Sequence, residues 1–268
     1  MIKVSHESPV SMLEESLNYN DYQYCLVHLM EENEAYHDWF MEKYRAMDPE
    51  GEVLLDNSIF ELGHSFDPQK YAEWANKIKP NFYIVPDVLE DSEATITSWE
   101  KFMKDTGDDL PGLKIGAVQG KTWTDIVECY RFMSDKADYI ALSFDFSYYQ
   151  VTGYGKDKLQ RWCNGRPALI ERLVREGIWN WDKPHHLLGA SLAREFAVYP
   201  GKYNIRSVDT SNPVVAGLLG HRYNGDHGLT HKPSTLLADL INAEVNDDQK
   251  EDITYNTKMF KMIMKRYD

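Results

Sequence analysis

Short apolar runs, each closed by a polar or small residue, recur along the chain. They are Tyr24–Met30, Glu52–Asp56, Phe82–Asp87, Leu113–Gln119, Tyr139–Ser143, His186–Ser191 and Ile205–Thr210. The runs are continuous rather than alternating, which predicts strands buried on both faces. Amphipathic stretches of helical length lie between them. Asp67–Lys79 opens on Asp-Pro, a helix-start signal. Asp91–Asp105 opens on DSEAT, a cap followed by an acid in the first turn. Thr122–Ser134 reads the same way, and Ala168–Gly177 closes on a glycine. Strand–helix alternation predicts a parallel α/β sheet. Seven such strands in 268 residues favour a single-domain (β/α)8, TIM-like barrel over residues 1–268. The eighth strand is expected near the N-terminus or after Thr210. A doubly wound open sheet is the rival, but no GxGxxG or GxxxxGK[ST] follows the first strand.

Two segments depart from this pattern. Phe144–Arg166 reads as a long loop rich in Tyr and Gly with a basic end, and Gly220–Pro233 reads as a second loop. From about Asn246 to the end at 268 the chain is charged, and a terminal helix is expected over Thr254–Tyr267. No internal repeat or low-complexity linker is visible.

Composition narrows the function classes. With 43% hydrophobic and 27% charged residues, the chain is ordinary globular material rather than disordered or fibrous. No apolar run is long enough to predict a membrane helix, and MIKVSHESPV does not read as a secretory signal. Cys25, Cys129 and Cys163 are far apart and form no CxxC, so a reducing compartment, the cytoplasm, is expected, without disulfides or structural zinc. Cys129 falls within a predicted helix and reads as a buried small hydrophobe. No GxSxG supports a hydrolase elbow. The net charge of −14 counts against a general electrostatic grip on nucleic acid, so such a partner would need a local basic patch.

In a parallel barrel the chemistry sits at the C-terminal ends of the strands. Those positions read Asp56-Asn57-Ser58, Asp87, Gln119-Gly120, Ser143, Gly189-Ala190-Ser191 and Asp209-Thr210-Ser211. Each carboxylate taken alone reads equally well as a helix cap. Three at one barrel end point instead to acid/base and nucleophile chemistry, because neighbouring like charges drive pKa values apart. Such a set also suits a planar heterocycle: Asp accepts from ring N–H and amino groups, Gln donates to a carbonyl, and Phe60 can stack on the face.

Six segments in order carry a resemblance. They are Leu54–Gly63 (LLDNSIFELG), Tyr83–Asp91 (YIVPDVLED), Ile115–Gly120 (IGAVQG), Tyr139–Phe144 (YIALSF), His185–Ser191 (HHLLGAS) and Ile205–Pro213 (IRSVDTSNP). Together the chain resembles the tRNA-guanine transglycosylase superfamily, and most of all its short relatives that place 7-deazaguanines in DNA. IGAVQG is the most specific match. The resemblance implies exchange of guanine at C1′ for a 7-deazaguanine such as preQ0, with no metal and no cofactor. It implies Asp209 as nucleophile and Asp56 as general acid/base. Asp87 would bind the N1–H and 2-amino edge, Gln119 the O6 side, and the backbone at Leu142 and Ser143 would complete the pocket. Phe60 and Leu188 would sandwich the base, beside Gly189. The sequence departs from the family at Leu142-Ser143, where the family has two glycines, and at Asn57-Ser58-Ile59, where it has Ser-Gly-Gly. The family's CxCxxC…H zinc motif is absent, since no cysteine follows Cys163. A zinc-free version fits DNA rather than tRNA. Such enzymes are common in phages, which would place the protein in the host cytoplasm.

Two sets of side chains are candidates to hold nucleic acid. Lys156, Lys158, Arg161 and Arg166 with Tyr148, Tyr149 and Tyr154 combine phosphate contact with base stacking. Arg206, Arg222, His221, His227 and His231 form a second set near the nucleophile. For both, solvated surface is the competing reading. His221, His227 and His231 with Asp226 are only loosely spaced like metal ligands, and a phosphate-contact or loop role is preferred. His185 and His186 read as packing and edge residues. Two alternatives stay open: the same pocket acting on tRNA or a free nucleoside or nucleotide, and a non-catalytic base-binding subunit that works with a protein partner or a second copy.

Overall fold

A computed structural model describes residues 2–106, 109–144, 146–199, 203–225, 228–229 and 232–266. Eight parallel strands alternate with helices in a (β/α)8, TIM-like barrel. They are β1 (Lys3–His6), β2 (Gln23–Leu26), β3 (Val53–Asp56), β4 (Phe82–Ile84), β5 (Leu113–Val118), β6 (Tyr139–Ser143), β7 (His185–Leu188) and β8 (Ile205–Thr210). Hydrogen bonding follows the order β1-β8-β7-β6-β5-β4-β3-β2. The eighth strand is therefore the N-terminal one. The main helices are α1 (Pro68–Ile78), α2 (Ser92–Thr106), α3 (Trp123–Lys136), α4 (Ser147–Thr152), α5 (Lys158–Arg175), α6 (Asn212–Leu218) and α7 (Asp247–Lys265). The chain divides into two compact units, residues 22–142 and residues 1–21 with 143–268.

In the unit of residues 22–142, short-range sequence signals set the elements. Asp67 caps α1 by accepting from Gln69 and Lys70 N–H, and Thr122 with Asp125 forms a reciprocal cap on α3. Tyr71 of α1 is wholly buried and donates to the Leu55 carbonyl at 3.0 Å, which ties the helix to β3. The apolar run Tyr24–Met30 does not continue as a strand. It leaves β2 after Leu26 and turns into the short helix Leu29–Glu32. The run Phe82–Asp87 likewise ends as a strand at Ile84; Val85 N–H still reaches the Ile115 carbonyl at 3.0 Å, and Pro86, which has no N–H to give, closes the ladder.

In the other unit, β8 pairs with β7 and β1, and the β1 register sets Ser5 opposite Asp209 and His6 opposite Thr210. Phe144–Arg166 is not one long loop. It contains α4 and the first half of α5, whose start is capped by Asp157 accepting from Gln160 N–H at 2.8 Å. Cys163, Arg166, Ile170 and Leu173 form the buried face of α5, so a charged residue stands in its apolar stripe. That interruption, with Pro167 beside it, hides the helix from a periodicity reading. The tail helix α7 begins at Asp247, earlier than Thr254, because its first turns are polar. It packs on α6 through Gly217, where an added Cβ would lie 2.6 Å from Ile253 Cγ1. Met12, Tyr19, Val214, Leu218 and Ile253 share this core.

His6 is an anomaly of the same layer. Its ring lies edge-on to Tyr19 and Phe260, 1% exposed, and neither ring nitrogen has a hydrogen-bond partner among the described residues. Burial, with a smaller push from Lys261, holds its pKa down to about 3. The unfolded chain binds the proton near the ordinary histidine value, so this group's contribution is present above that value. It is lost as pH falls from about 6.5 toward 3. His6→Leu is expected to raise the unfolding midpoint at neutral pH, since an orphaned buried polar group costs about 1–3 kcal/mol. The variant should also flatten the acid side of the stability profile. Thermal unfolding at pH 7.5 and pH 5 checks both, and an unchanged or lower midpoint would refute the assignment.

Candidate active site

Each unit carries a polar cluster at the C-terminal ends of its strands. In residues 22–142 the cluster starts at Asp56, the last residue of β3. Its Oδ1 accepts from Ser58 N–H at 2.6 Å and its Oδ2 from the Tyr24 hydroxyl at 2.8 Å. The first of these bonds closes a tight turn, and Ser58 takes a left-handed conformation, φ 57°. Such backbone in a non-glycine residue is strained and gathers at functional sites. Asn57 is fully buried and donates to Asp87 Oδ1 at 2.7 Å. Gln119, just past β5, donates from Nε2 to Asp87 Oδ2 at 2.6 Å, while its Oε1 accepts from Glu90 N–H at 2.8 Å. Burial pushes the Asp87 carboxyl up, and the Asn57 and Gln119 amides pull it part of the way back. The result is a buried row, Asn57–Asp87–Gln119, in which both Asp87 oxygens and both polar atoms of Gln119 are engaged.

In residues 1–21 with 143–268 the cluster centres on Asp209, 4% exposed near the end of β8. Both of its oxygens lie 3.1 Å from Gly189 N, and Oδ1 is also 3.1 Å from His186 Nε2. The other ring nitrogen of His186, Nδ1, is 2.9 Å from Ser207 Oγ. The imidazole therefore bridges the Asp209 carboxylate and the Ser207 hydroxyl, one ring nitrogen to each. Gly189 has φ 66°, a left-handed conformation that turns its N–H back onto the carboxylate. Asp209 is thus an oriented carboxylate.

Behind it lies a wholly buried ion pair. Arg166 Nε is 2.7 Å from Glu195 Oε1, and both side chains have no exposure. Tyr199 donates to the same Glu195 oxygen at 2.5 Å. Burial works against the Arg166 charge, and the Glu195 carboxylate outweighs it, so the guanidinium pKa lies above its ordinary range. Arg166 also donates to two carbonyls, Leu188 O at 2.9 Å and Gly189 O at 2.7 Å.

No family model matches this chain, and no curated protein matches it.

The expected base-pocket residues divide between the two clusters. Asp56, Asp87 and Gln119 belong to the first, Asp209 and Gly189 to the second. Phe60 stands at 58% exposure on the helical turn after Asn57-Ser58, open to a stacking partner. Leu142 is buried in the sheet opposite Val118, and Ser143 and Leu188 are half-buried. The Ser143 carbonyl is occupied by the Tyr149 hydroxyl at 3.1 Å.

The expected nucleic-acid contacts fare worse. Arg166 is not a phosphate contact, since it is sealed against Glu195. Tyr148 and Tyr149 are buried and cannot stack on a base. Arg222 is claimed by Glu251 at 2.7 Å and by Asp252, both on α7. Arg206 lies three residues before Asp209 on β8, an odd step that puts it on the opposite face of the strand. Lys158 is exposed, 4.0 Å above the Trp162 ring, with Lys156 and Tyr154 exposed nearby and Arg161 half-buried. His221 is exposed, whereas Asp226, His227 and His231 lie outside the described residues.

Two residues of these clusters carry no site signal of their own in the sequence. His186 reads as a packing or edge residue, yet it touches the Asp209 carboxylate. Its position i−1 to Leu187 in a strand of alternating facing was the available signal, because it shares a face with Leu188 and the strand end. Tyr24 reads as one apolar member of the run Tyr24–Met30. Only its pairing two residues upstream of Leu26, which sits opposite Asp56, brings its hydroxyl to that carboxylate.

Proposed function

We propose that this chain is a guanine transglycosylase that exchanges guanine in DNA for a 7-deazaguanine by double displacement. The observation that carries the reading is the oriented Asp209 carboxylate, held by Gly189 N–H and His186 at the end of β8. In the first step an Asp209 oxygen attacks C1′ and the C1′–N9 bond breaks, with its electron pair leaving on guanine. Asp56 supplies the proton that neutralises the departing base. The incoming base then loses its N9 proton to Asp56 and attacks C1′, and the carboxylate leaves. Two inversions give retention, and covalent catalysis divides one hard substitution into two easier ones. Asp87 and Gln119 read the base edge, with Asn57 holding Asp87 in place.

A second reading, exchange on a free nucleoside or nucleotide, draws on the net charge of −14 and on the self-pairing of Arg166 and Arg222. Both take their test from one assay. The protein is incubated with radiolabelled guanine or preQ0 and, in separate arms, duplex DNA, single-stranded DNA, tRNA and guanosine nucleotides. Label entering DNA is the expected result. Label in tRNA or in the nucleotide arm alone keeps the chemistry and refutes DNA as substrate. No label in any arm refutes the reaction for the chain acting by itself.

A further inference from the structure

The peptide unit between Leu188 and Gly189 has a different charge at each end. Its N–H points at the Asp209 carboxylate, with 3.1 Å to each oxygen. Its C=O receives Arg166 Nη1 and Phe144 N–H, both at 2.9 Å. A trans peptide is planar, with its C=O and N–H directed oppositely, so the rotation that aims one aims the other. The next peptide is held too, because Gly189 O accepts from Arg166 Nη2 at 2.7 Å. Gly189 joins these two peptides, and its φ of 66° is a left-handed conformation that glycine adopts without strain. Arg166 itself is fixed by two bonds to Glu195, 2.7 Å from Nε and 3.1 Å from Nη2. Tyr199 fixes Glu195 in turn.

We infer that Arg166, locked by Glu195, is a positioning residue that aims the Asp209 carboxylate through the Leu188–Gly189 peptide. The guanidinium has the fork needed to hold two successive carbonyls and a carboxylate at once, which a lysine ammonium cannot reproduce. A cation on the carbonyl also polarises the amide, which strengthens the N–H bond to Asp209. This inference rests on Asp209 as nucleophile for its kinetic consequence, but not for its structural one.

The test uses the full chain and two variants, Arg166→Lys and Glu195→Gln. The first readout is the Gly189 amide proton by NMR. A carboxylate-bonded N–H resonates downfield, and Asp209→Asn supplies the position of that amide without its carboxylate. Both variants are expected to move the Gly189 amide toward the Asp209→Asn position. The second readout is base exchange, where Arg166→Lys should lower kcat by about 10- to 100-fold with KM within about threefold, as misaimed reacting groups do. A role confined to stability would lower the melting temperature while leaving the amide shift and the kcat of folded protein in place, and that result overturns the inference. If Arg166→Lys does not fold, Glu195→Gln carries the same comparison. It keeps the side-chain shape, and an unmoved Gly189 amide in it is equally decisive. A wild-type chain that exchanges no base overturns the proposed reaction but leaves the amide readout intact, so the two failures are separable.

Discussion

Asp209→Asn is expected to abolish base exchange, with a loss of at least about a thousandfold, because Asp209 is the one carboxylate on β8 and the proposed covalent bond to C1′ is formed by it. The substitution is close to isosteric. The asparagine oxygen can still accept from Gly189 N–H and from His186, which now hold Asp209 at 3.1 Å, so the fold should survive. Loss of activity with an unchanged melting temperature would then be a loss of chemistry. A direct form of the measurement is trapping. Wild-type protein denatured during turnover with a labelled oligonucleotide should carry the label covalently, and the variant should not. A variant that keeps a tenth of the exchange rate would remove Asp209 from the nucleophile role. The base would then have to leave by a dissociative route without a glycosyl-enzyme.

Asp56→Asn is expected to cost about a hundred- to ten-thousandfold in exchange, the range of a general acid or base. The environment of Asp56 makes this prediction specific. Its two oxygens take Ser58 N–H at 2.6 Å and the Tyr24 hydroxyl at 2.8 Å, so the carboxyl is held by its own turn and by the strand next to it. Tyr24→Phe should therefore give a smaller loss in the same direction. Leaving-group dependence tells the roles apart. A nucleoside whose base departs without protonation needs no acid, so Asp56→Asn should recover most of the wild-type rate of base release on it. If the deficit is the same for good and poor leaving groups, Asp56 is acting on something other than the departing base.

The strands were largely legible. β6 and β8 fall on the bounds the apolar runs predict, since buried parallel strands have apolar side chains on both faces and polar punctuation at each end. Runs that overshoot, such as Tyr24–Met30, do so because an apolar run does not distinguish a strand from the buried side of the turn and helix that follow it. The candidate site was legible where a polar residue closes a strand: Asp56, Asp87, Gln119 and Asp209 all have buried side chains at such ends. Its supports were not. Arg166 looked like a surface cation because composition assigns charge to the surface, and only its partner, 29 residues away in the chain, makes burial affordable. Lys158 and Arg222 were equally basic on the page. One proved exposed over Trp162, while the other is tied to its own tail helix.

The order of apolar runs, the caps and the polar strand ends determined the class of fold and nominated the carboxylates. These are local or periodic signals, and each is written within a few consecutive residues. What aims those carboxylates was decided by tertiary structure alone. The His186 ring beside Asp209, Asn57 beside Asp87, and the Arg166–Glu195 pair behind Gly189 depend on strand register and on helix α5 packing against the loop after β7. Hydrogen bonds between residues 20 to 30 positions apart leave no period in a sequence, and a buried charge has the same letter as an exposed one.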